Sequence, residues 1–539
     1  MQRERLYRDP TGLFVHDVIL ETCRRRGDHT ALVDYSADLA LRFSYAEYGA
    51  LVEKVARGLV AAGIRPGEII AIYLFNSWEF CVTYHAATMA GAIPTPLNPT
   101  YREREVRYQL ENSGAAMLVT DGVQIRDMNL GGLPNLRRVY STRSEAAGAE
   151  PFANLLKSTT AALPSPANSP QTTLAALPYS SGTTGLPKGV MLSHYNLVTN
   201  IYQILIPGEA GTFREDDVSF CVLPLYHIYG LNVVLNPVLA IGGTVVLAPR
   251  FDPDRALHIL TVEQPTFMPL VPPLLNFFCH AAEQGLFPRE QRLRWVKSGA
   301  APLAPELARR FTELTGVKVR QGYGMTEASP VTHMGFVEDE LYRPDSIGFP
   351  VALTDCRLIG DNGEPVPVGS PGELVMRGPQ FMLGYWNAPE ATANALRPVG
   401  GESEQSTGNG VTDGWYWSGD VATVDTEGFY RIVDRRKEMI KYKGFAVAPA
   451  EVESVLLEHP AVRDCGVVGK QDQDAGEIPC AFIVLREGFK EGAKAATDLC
   501  GFVAERLTGY KQPREVRFVG NIPRNPSGKI LRRQLRELL

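Results

Sequence analysis

The densest chemistry in the sequence lies in Tyr179–Val190, YSSGTTGLPKGV. The hydroxyls of Ser180, Ser181, Thr183 and Thr184, the backbone amides freed by Gly182 and its neighbouring glycines, and the charge of Lys188 would together wrap a polyphosphate. A P-loop of the hydrolase type needs a glycine before its lysine and a Ser or Thr after it. Pro187 and Gly189 occupy those places, which excludes that chemistry. No serine sits in a GxSxG elbow, so an α/β-hydrolase mechanism is not expected. No HExxH occurs and the histidines are dispersed, which argues against a zinc site. GYGMTE (Gly322–Glu327) places Glu327 where a dinucleotide fingerprint has its last glycine.

These residues need a scaffold that brings loops together. Leu174–Leu177 is an apolar piece ahead of the phosphate-binding candidate, and Ser193 beyond it is suited to cap a helix. TVVLAP (Thr244–Pro249), PTFMPL (Pro265–Leu270), LRWVKSG (Leu293–Gly299) and KVRQGYG (Lys318–Gly324) read as buried strands ending in Gly or Pro. PELARRFTELTG (Pro305–Gly316) has Pro in its first turn and Gly past its end, the punctuation of a helix. Alternation of this kind predicts an α/β fold with mostly parallel sheets, whose ligands sit at the carboxyl ends of the strands. After about Asp434 a smaller set begins: a helix over Ala448–Pro460, the strands CGVVG, CAFIVL and VRFV, and a second helix over ATDLCGFVAERL. That is enough for a small α+β domain. Ser141–Thr173 reads as a surface linker and Val399–Asp413 as a loose polar loop.

Composition narrows the class further. With 539 residues the chain is long enough for more than one core. It carries 54 Lys+Arg against 60 Asp+Glu, so no basic field exists to displace counterions from nucleic acid. No apolar run reaches membrane-spanning length, and the charged start MQRERLYRDP leads into no signal-peptide core. The eight cysteines form no CxxC pair and fit reduced thiols. A cytoplasmic, multi-domain enzyme is the expectation.

YSSGTTGLPKGV, QGYGMTE (Gln321–Glu327), SGD (Ser418–Asp420), DRRKEMIKYKG (Asp434–Gly444) and PRNPSGK (Pro523–Lys529) stand in the order found in the adenylate-forming superfamily of acyl-CoA synthetases, adenylation domains and luciferases. The chain resembles that superfamily over nearly its whole length. LPLYHIYGL (Leu223–Leu231), SGAAPL (Ser298–Leu303) and KGFAVAPAEVE (Lys443–Glu453) are most similar to 4-coumarate–CoA ligases and their bacterial relatives.

The resemblance implies a large N-terminal domain of several subdomains (1–433), a hinge at 434–437 about Lys437, and a mobile C-terminal domain (438–539). It implies two steps, attack of a carboxylate on the α-phosphate of MgATP and then attack of a thiol on the acyl-adenylate. By similarity, Ser180–Thr184 and Lys188 hold the β- and γ-phosphates, Glu327 coordinates Mg²⁺ and Thr326 bonds the α-phosphate. Asp420 and Arg435 take the ribose, while Tyr323, Gln321, Gly322 and Ala300 line the base site. Lys529 bridges carboxylate and α-phosphate during adenylation. Lys441 stands beside the acyl-adenylate in the second step, and Arg250, Lys443 and Gly444 contact coenzyme A. His227 gates the acid, whose pocket Tyr229 and Met334 line. The implied activity is a carboxylic acid–CoA ligase acting on an aryl-propenoic or a medium- or long-chain fatty acid. The alternative is a stand-alone enzyme that loads a carrier protein's phosphopantetheine. A non-catalytic nucleotide- or acyl-binding module predicts losses among Glu327, Asp420, Arg435 and Lys529, and all four are present. One departure stands out: Ala446 occupies the place of a glutamine in the KGFQVAPAE pattern.

Overall fold

A computed structural model describes residues 9–539 except 38, 144, 158, 166–167, 181–185, 206–212, 339, 400–413, 444, 473–474 and 526–527. The phosphate-loop candidates Ser181, Gly182, Thr183 and Thr184, the coenzyme A candidate Gly444, and all but the first residue of the polar tract from Val399 lie outside the described residues.

The largest element is a nine-stranded sheet. Its order runs Phe349–Pro350, Val331–Met334, Lys318–Gly324, Trp295–Ser298, Phe267–Leu270, Val218–Cys221, Thr244–Leu247, Thr30–Asp34 and Leu41–Ser44. The strands from Lys318–Gly324 to Thr30–Asp34 are parallel. Both ends turn antiparallel. Both faces of the parallel part are covered, so its strands are continuously apolar. Val245 and Leu247 enter one core cluster and Val246 the opposite one. All four expected strands are present. The helix Pro305–Thr315 stops where expected, with Gly316 at φ 73° in the left-handed region. Ser193 does cap the helix His194–Leu205: its hydroxyl accepts from the Asn196 amide at 3.1 Å, and Asn196 returns the bond to the Ser193 amide at 2.9 Å.

A second sheet, wholly parallel, orders Ile93–Pro96, Ile69–Tyr73, Met117–Thr120, Arg138–Ser141 and Glu150–Pro151. This corrects the expectation of a surface linker over Ser141–Thr173. Glu150–Pro151 extends the sheet, and the helical turn Phe152–Leu156 buries Phe152 and Leu155. The helix Tyr45–Ala61 comes so close to that turn that a Cβ on Gly58 would lie 2.2 Å from the Leu155 carbonyl oxygen.

An antiparallel sheet carries Asp355–Ile359, Gly372–Arg377, Trp415–Val424 and Leu396–Arg397, with Tyr430–Arg435 paired to Trp415–Val424. A last sheet of Phe445–Val447, Ile440–Tyr442, Gly476–Leu485, Val462–Asp472 and Glu515–Phe518 is covered by the helices Pro449–Leu457 and Ala493–Ala504. Lys437 lies exposed in the turn between Tyr430–Arg435 and Ile440–Tyr442. All eight cysteines are unpaired. Among the described residues, no helix is long and apolar enough to cross a membrane.

Candidate active site

The parallel register places the candidate residues at one end of the large sheet. Trp295–Ser298 pairs with Lys318–Gln321 up to Ser298 and Gln321, so Gly299–Ala300 and Gly322–Tyr323 leave neighbouring strands side by side at their carboxyl ends. This is where an open α/β sheet binds its ligands. Ala300 holds φ 65°, a conformation uncommon outside glycine that exposes its backbone at the strand end. Gln321 turns its amide toward the Pro344 carbonyl at 2.7 Å.

The phosphate-loop candidate starts and ends at the neck of a hairpin. Ser180 and Lys188 are cross-strand partners in antiparallel strands. Glu327, buried in the turn Thr326–Ala328, accepts at Oε1 from the Ser180 hydroxyl at 3.1 Å and from the Tyr385 hydroxyl at 2.8 Å. Lys188 sits over the Tyr385 ring, 5.5 Å from its centroid. One lysine, one carboxylate and two hydroxyls thus converge from three chain segments. Among the described residues no group of three or more His, Cys, Asp or Glu could hold a metal. A lone carboxylate beside a phosphate-binding loop is the donor set that suits Mg²⁺, which keeps waters and takes its remaining ligands from phosphates.

Asp420 and Arg435 are partners across antiparallel strands, and their side chains meet at 3.1 Å. Asp420 is 5% exposed and also accepts from the Tyr323 hydroxyl at 2.5 Å. Burial and the Asp420 carboxylate push the Tyr323 phenol far up, so it stays a hydrogen-bond donor. The Asp434 carboxylate accepts from the Ala450 amide at 2.8 Å, tying the strand before Lys437 to the helix Pro449–Leu457 beyond it.

Lys529 arrives from the last loop of the chain. Its amide donates to Asn525 at 2.8 Å, and Arg524 holds the Gly528 carbonyl at 2.8 Å. Gly528 has φ 82°, and a Cβ there would lie 3.2 Å from Pro273, so both backbone shape and close approach call for glycine. The loop therefore docks against the start of the helix Pro272–Glu283, and Lys529 lies in the electrostatic field of Arg435 and Asp420. Burial first, and Arg435 second, lower its ammonium to about 8, with Asp420 opposing.

His227 accepts at Nδ1 from the Tyr229 amide at 3.1 Å, which leaves Nε2 as the protonated nitrogen. Burial lowers it to about 4, so it is a neutral donor near pH 7. His227 and Thr326 line the same small cavity of about 40 Å³, with Asn98, Tyr179 and Tyr226. Tyr229 and Met334 share one apolar cluster with Ile204, Val233 and Val331.

The structure does not bring every candidate together. Lys441 and Lys443 lie exposed on the hairpin of Ile440–Tyr442 and Phe445–Val447, and Arg250 is exposed beyond Thr244–Leu247. Among the described residues, none of the three hydrogen-bonds or ion-pairs with Asp420, Arg435 or Glu327. Two residues missed in the sequence touch candidate residues. Tyr385 holds Glu327, and no local pattern marks it. Lys297 is 3% exposed on the strand Trp295–Ser298, with no hydrogen-bond partner at its amine. A Cβ on Gly322 would lie 2.5 Å from Lys297 Cε, and the Tyr229 hydroxyl donates to the Lys297 carbonyl at 3.1 Å. Burial, then the Arg320 charge, push its amine far below the ordinary lysine range. A lysine flanked by Val296 and Ser298 on a buried strand was the signal available.

Comparison with known proteins shows what the whole chain is similar to. The profile described as AMP-binding enzyme matches residues 19–386, and that of the AMP-binding enzyme C-terminal domain matches 451–529. A 4-coumarate–CoA ligase 5 of Oryza sativa subsp. japonica is 38% identical, with 98% of this chain and 95% of that protein covered. Among solved structures, an anthranilate CoA ligase in complex with anthranoyl-AMP is 26% identical, covers 98% of both chains and superposes with a TM-score of 0.84. The ATP-bound MatB of Rhodopseudomonas palustris is 28% identical, with 98% and 99% covered and a TM-score of 0.84.

Proposed function

Because the chain belongs to the AMP-binding enzyme family, we propose that it is a carboxylic acid–CoA ligase whose acid is an aryl-propenoic acid with a polar ring substituent. The observation that carries this reading is the convergence of separate chain segments: Ser180 bonds Glu327, Asp420 pairs with Arg435, and Arg435 lies within the electrostatic reach of both Glu327 and Lys529.

In the first step a carboxylate oxygen attacks the α-phosphorus of ATP and the bond to pyrophosphate breaks. Little covalent chemistry falls to the protein, so positioning and charge stabilisation carry the rate. Asp420, fixed by Arg435 and Tyr323, presents a carboxylate to two ribose hydroxyls. Lys188 and the Ser180–Thr184 segment neutralise the β- and γ-phosphates, and Thr326 bonds the α-phosphate. The Lys529 ammonium sits between attacking carboxylate and α-phosphate oxygen, and neutral His227 donates from Nε2 to the acid. Mg²⁺, held by Glu327, would supply charge neutralisation on the phosphates.

In the second step the CoA thiol attacks the acyl carbonyl and AMP leaves. Lys441, Lys443 and Arg250 are the residues for this step; the exposure of Lys441 and Lys443 fits a C-terminal domain that turns about Lys437 to bring them to the adenylate, and Arg250 awaits coenzyme A on the N-terminal domain. Full-length similarity to CoA ligases favours free coenzyme A over a carrier protein as acceptor. The buried Lys297 amine lies close to Gly322, whose strand partner is Met334, and so adds one polar group beside the apolar cluster of Tyr229 and Met334, which favours a substituted ring over a plain alkyl chain. Pyrophosphate release over a panel of acids, with and without coenzyme A, tests the proposal. Release with hydroxylated aryl-propenoic acids and a CoA thioester as product is expected. Release with alkanoic acids alone would overturn the substrate class, and release without any CoA thioester would overturn the acceptor.

A further inference from the structure

A chain of buried polar side chains runs from the interior of the protein to the turn that carries Thr326 and Glu327. Tyr48 lies on the helix Tyr45–Ala61, His85 on Trp78–Met89, Asn236 on Asn236–Ile241 and Asn232 on the π-helical turn Gly230–Leu235. All four are 0% exposed, as is Ser329 at the end of the chain. The links are Tyr48 to His85 Nδ1 at 2.6 Å, His85 Nε2 to Asn236 at 3.0 Å, Asn236 to Asn232 at 2.8 Å, and Asn232 to the Ser329 carbonyl at 2.6 Å.

The last link fixes the polarity of every other one. A carbonyl only accepts, so the Asn232 amide nitrogen donates and its oxygen accepts from Asn236. The Asn236 oxygen then accepts from His85 Nε2–H, which leaves Nδ1 bare to accept the Tyr48 proton. Burial lowers His85 to about 4, so this tautomer persists near pH 7. Each bond of this network has one polarity, because rotating any of its amides strands a buried polar group.

Its terminus is placed where it matters for the reaction. Ser329 closes the turn Thr326–Ala328 in the left-handed conformation, φ 67°, which a serine keeps only when its surroundings hold it. Asn200 clamps the same segment from the other side, accepting from the Val331 amide at 3.1 Å and donating to its carbonyl at 2.9 Å. Asn232 also lies just beyond His227 and Tyr229. It therefore joins the acid side of the cleft to its phosphate side.

We propose that Asn232 is a positioning residue for adenylation, which holds the Ser329 carbonyl and with it Thr326 and Glu327, and that Tyr48, His85 and Asn236 fix its amide in the donating orientation. The inference rests on the ligase reading above, but its test separates the two. Acid-dependent pyrophosphate release by the wild type tests the ligase reading alone; calorimetric titration of MgATP reports the turn whether or not an acid has been found.

The informative variants are Asn232→Ala and the remote Tyr48→Phe, with Tyr45→Phe as control. Tyr45 is equally buried and donates to the Gly243 carbonyl at 2.6 Å, outside the chain of bonds. Asn232→Ala should lower kcat for adenylation by about 10- to 100-fold and weaken MgATP binding, leaving the acid KM within about threefold, because a small displacement of positioned groups costs rates of that order. Conversion of supplied acyl-adenylate to thioester should persist. Tyr48→Phe should lower kcat several-fold, whereas Tyr45→Phe should lose comparable resistance to urea with kcat unchanged. Wild-type kcat and MgATP affinity in Asn232→Ala would overturn the proposal. So would losses in Tyr48→Phe and Tyr45→Phe that simply track stability, and that pair decides the matter if Asn232→Ala fails to fold.

Discussion

Raising the pH from 7 to 9 should remove the charge that drives the first step. A free lysine amine titrates near 10.5, but burial and Arg435 bring Lys529 down to about 8. The sign follows from its role: the protonated form bridges carboxylate and phosphate, so activity is present below this value and lost above it. With a value of 8, about nine-tenths of the free enzyme is charged at pH 7 and about one-tenth at pH 9. The kcat/KM for adenylation, which reports the free enzyme, should therefore fall about tenfold over that interval. At saturating ATP the polyphosphate raises the ammonium's affinity for its proton, so kcat should fall later. The assay is pyrophosphate release under subsaturating and saturating ATP, across pH 6 to 10. Lys529→Arg, slower throughout, should lose this limb, since a guanidinium stays charged. A flat kcat/KM profile in the wild type, or an unchanged limb in Lys529→Arg, would refute the reasoning.

Three further perturbations follow from the parts that hold the domains. Lys437→Pro should preserve adenylation and abolish thioester formation, because proline fixes φ near about −65° in the turn that must swing; full thioester activity would place the pivot elsewhere. Asp434→Ala removes the carboxylate that accepts the Ala450 amide across this turn. A hydrogen bond to a charged group contributes about 1.5–3 kcal/mol, so adenylation should slow roughly 10- to 100-fold with the second step spared, and separate half-reaction assays would expose an equal loss in both. Glu453→Ala strands Arg532, whose Nη2 donates to both Glu453 carboxylate oxygens at 2.8 and 2.9 Å in a buried pair, and should destabilise the C-terminal sheet by about 3–5 kcal/mol in urea unfolding; a loss below about 1 kcal/mol would contradict that reading.

The legible parts of the site are those whose chemistry is local. The strand Lys318–Gly324 and the helix Pro305–Thr315 are punctuated by Pro and Gly within their own segments, and the Ser180–Lys188 neck follows from one short motif. Phe152 and Leu155 escaped notice because Ser- and Pro-rich neighbours dominate the composition around them. Asn232 and His85 look like ordinary helix residues until the fold reveals that Asn236 bonds to both. Tyr385 reaches Glu327 only because the hairpin strand Lys188–Ser193 pairs with Gly384–Tyr385. Lys441 and Lys443 lie outside the cleft for a different reason: in the two-step cycle proposed above, motif order marks the residues of both steps, whereas a single conformation assembles one of them.

The central claim is that one cleft performs two steps and that Lys529 serves only the first. Single-turnover measurement of both half-reactions in Lys529→Ala tests it directly. Pyrophosphate formation from acid and MgATP should drop by about 10²–10³-fold, the cost of one charge stabiliser in the transition state. Thioester formation from supplied acyl-adenylate and coenzyme A should stay near the wild-type rate. An equal loss in both half-reactions would contradict the account.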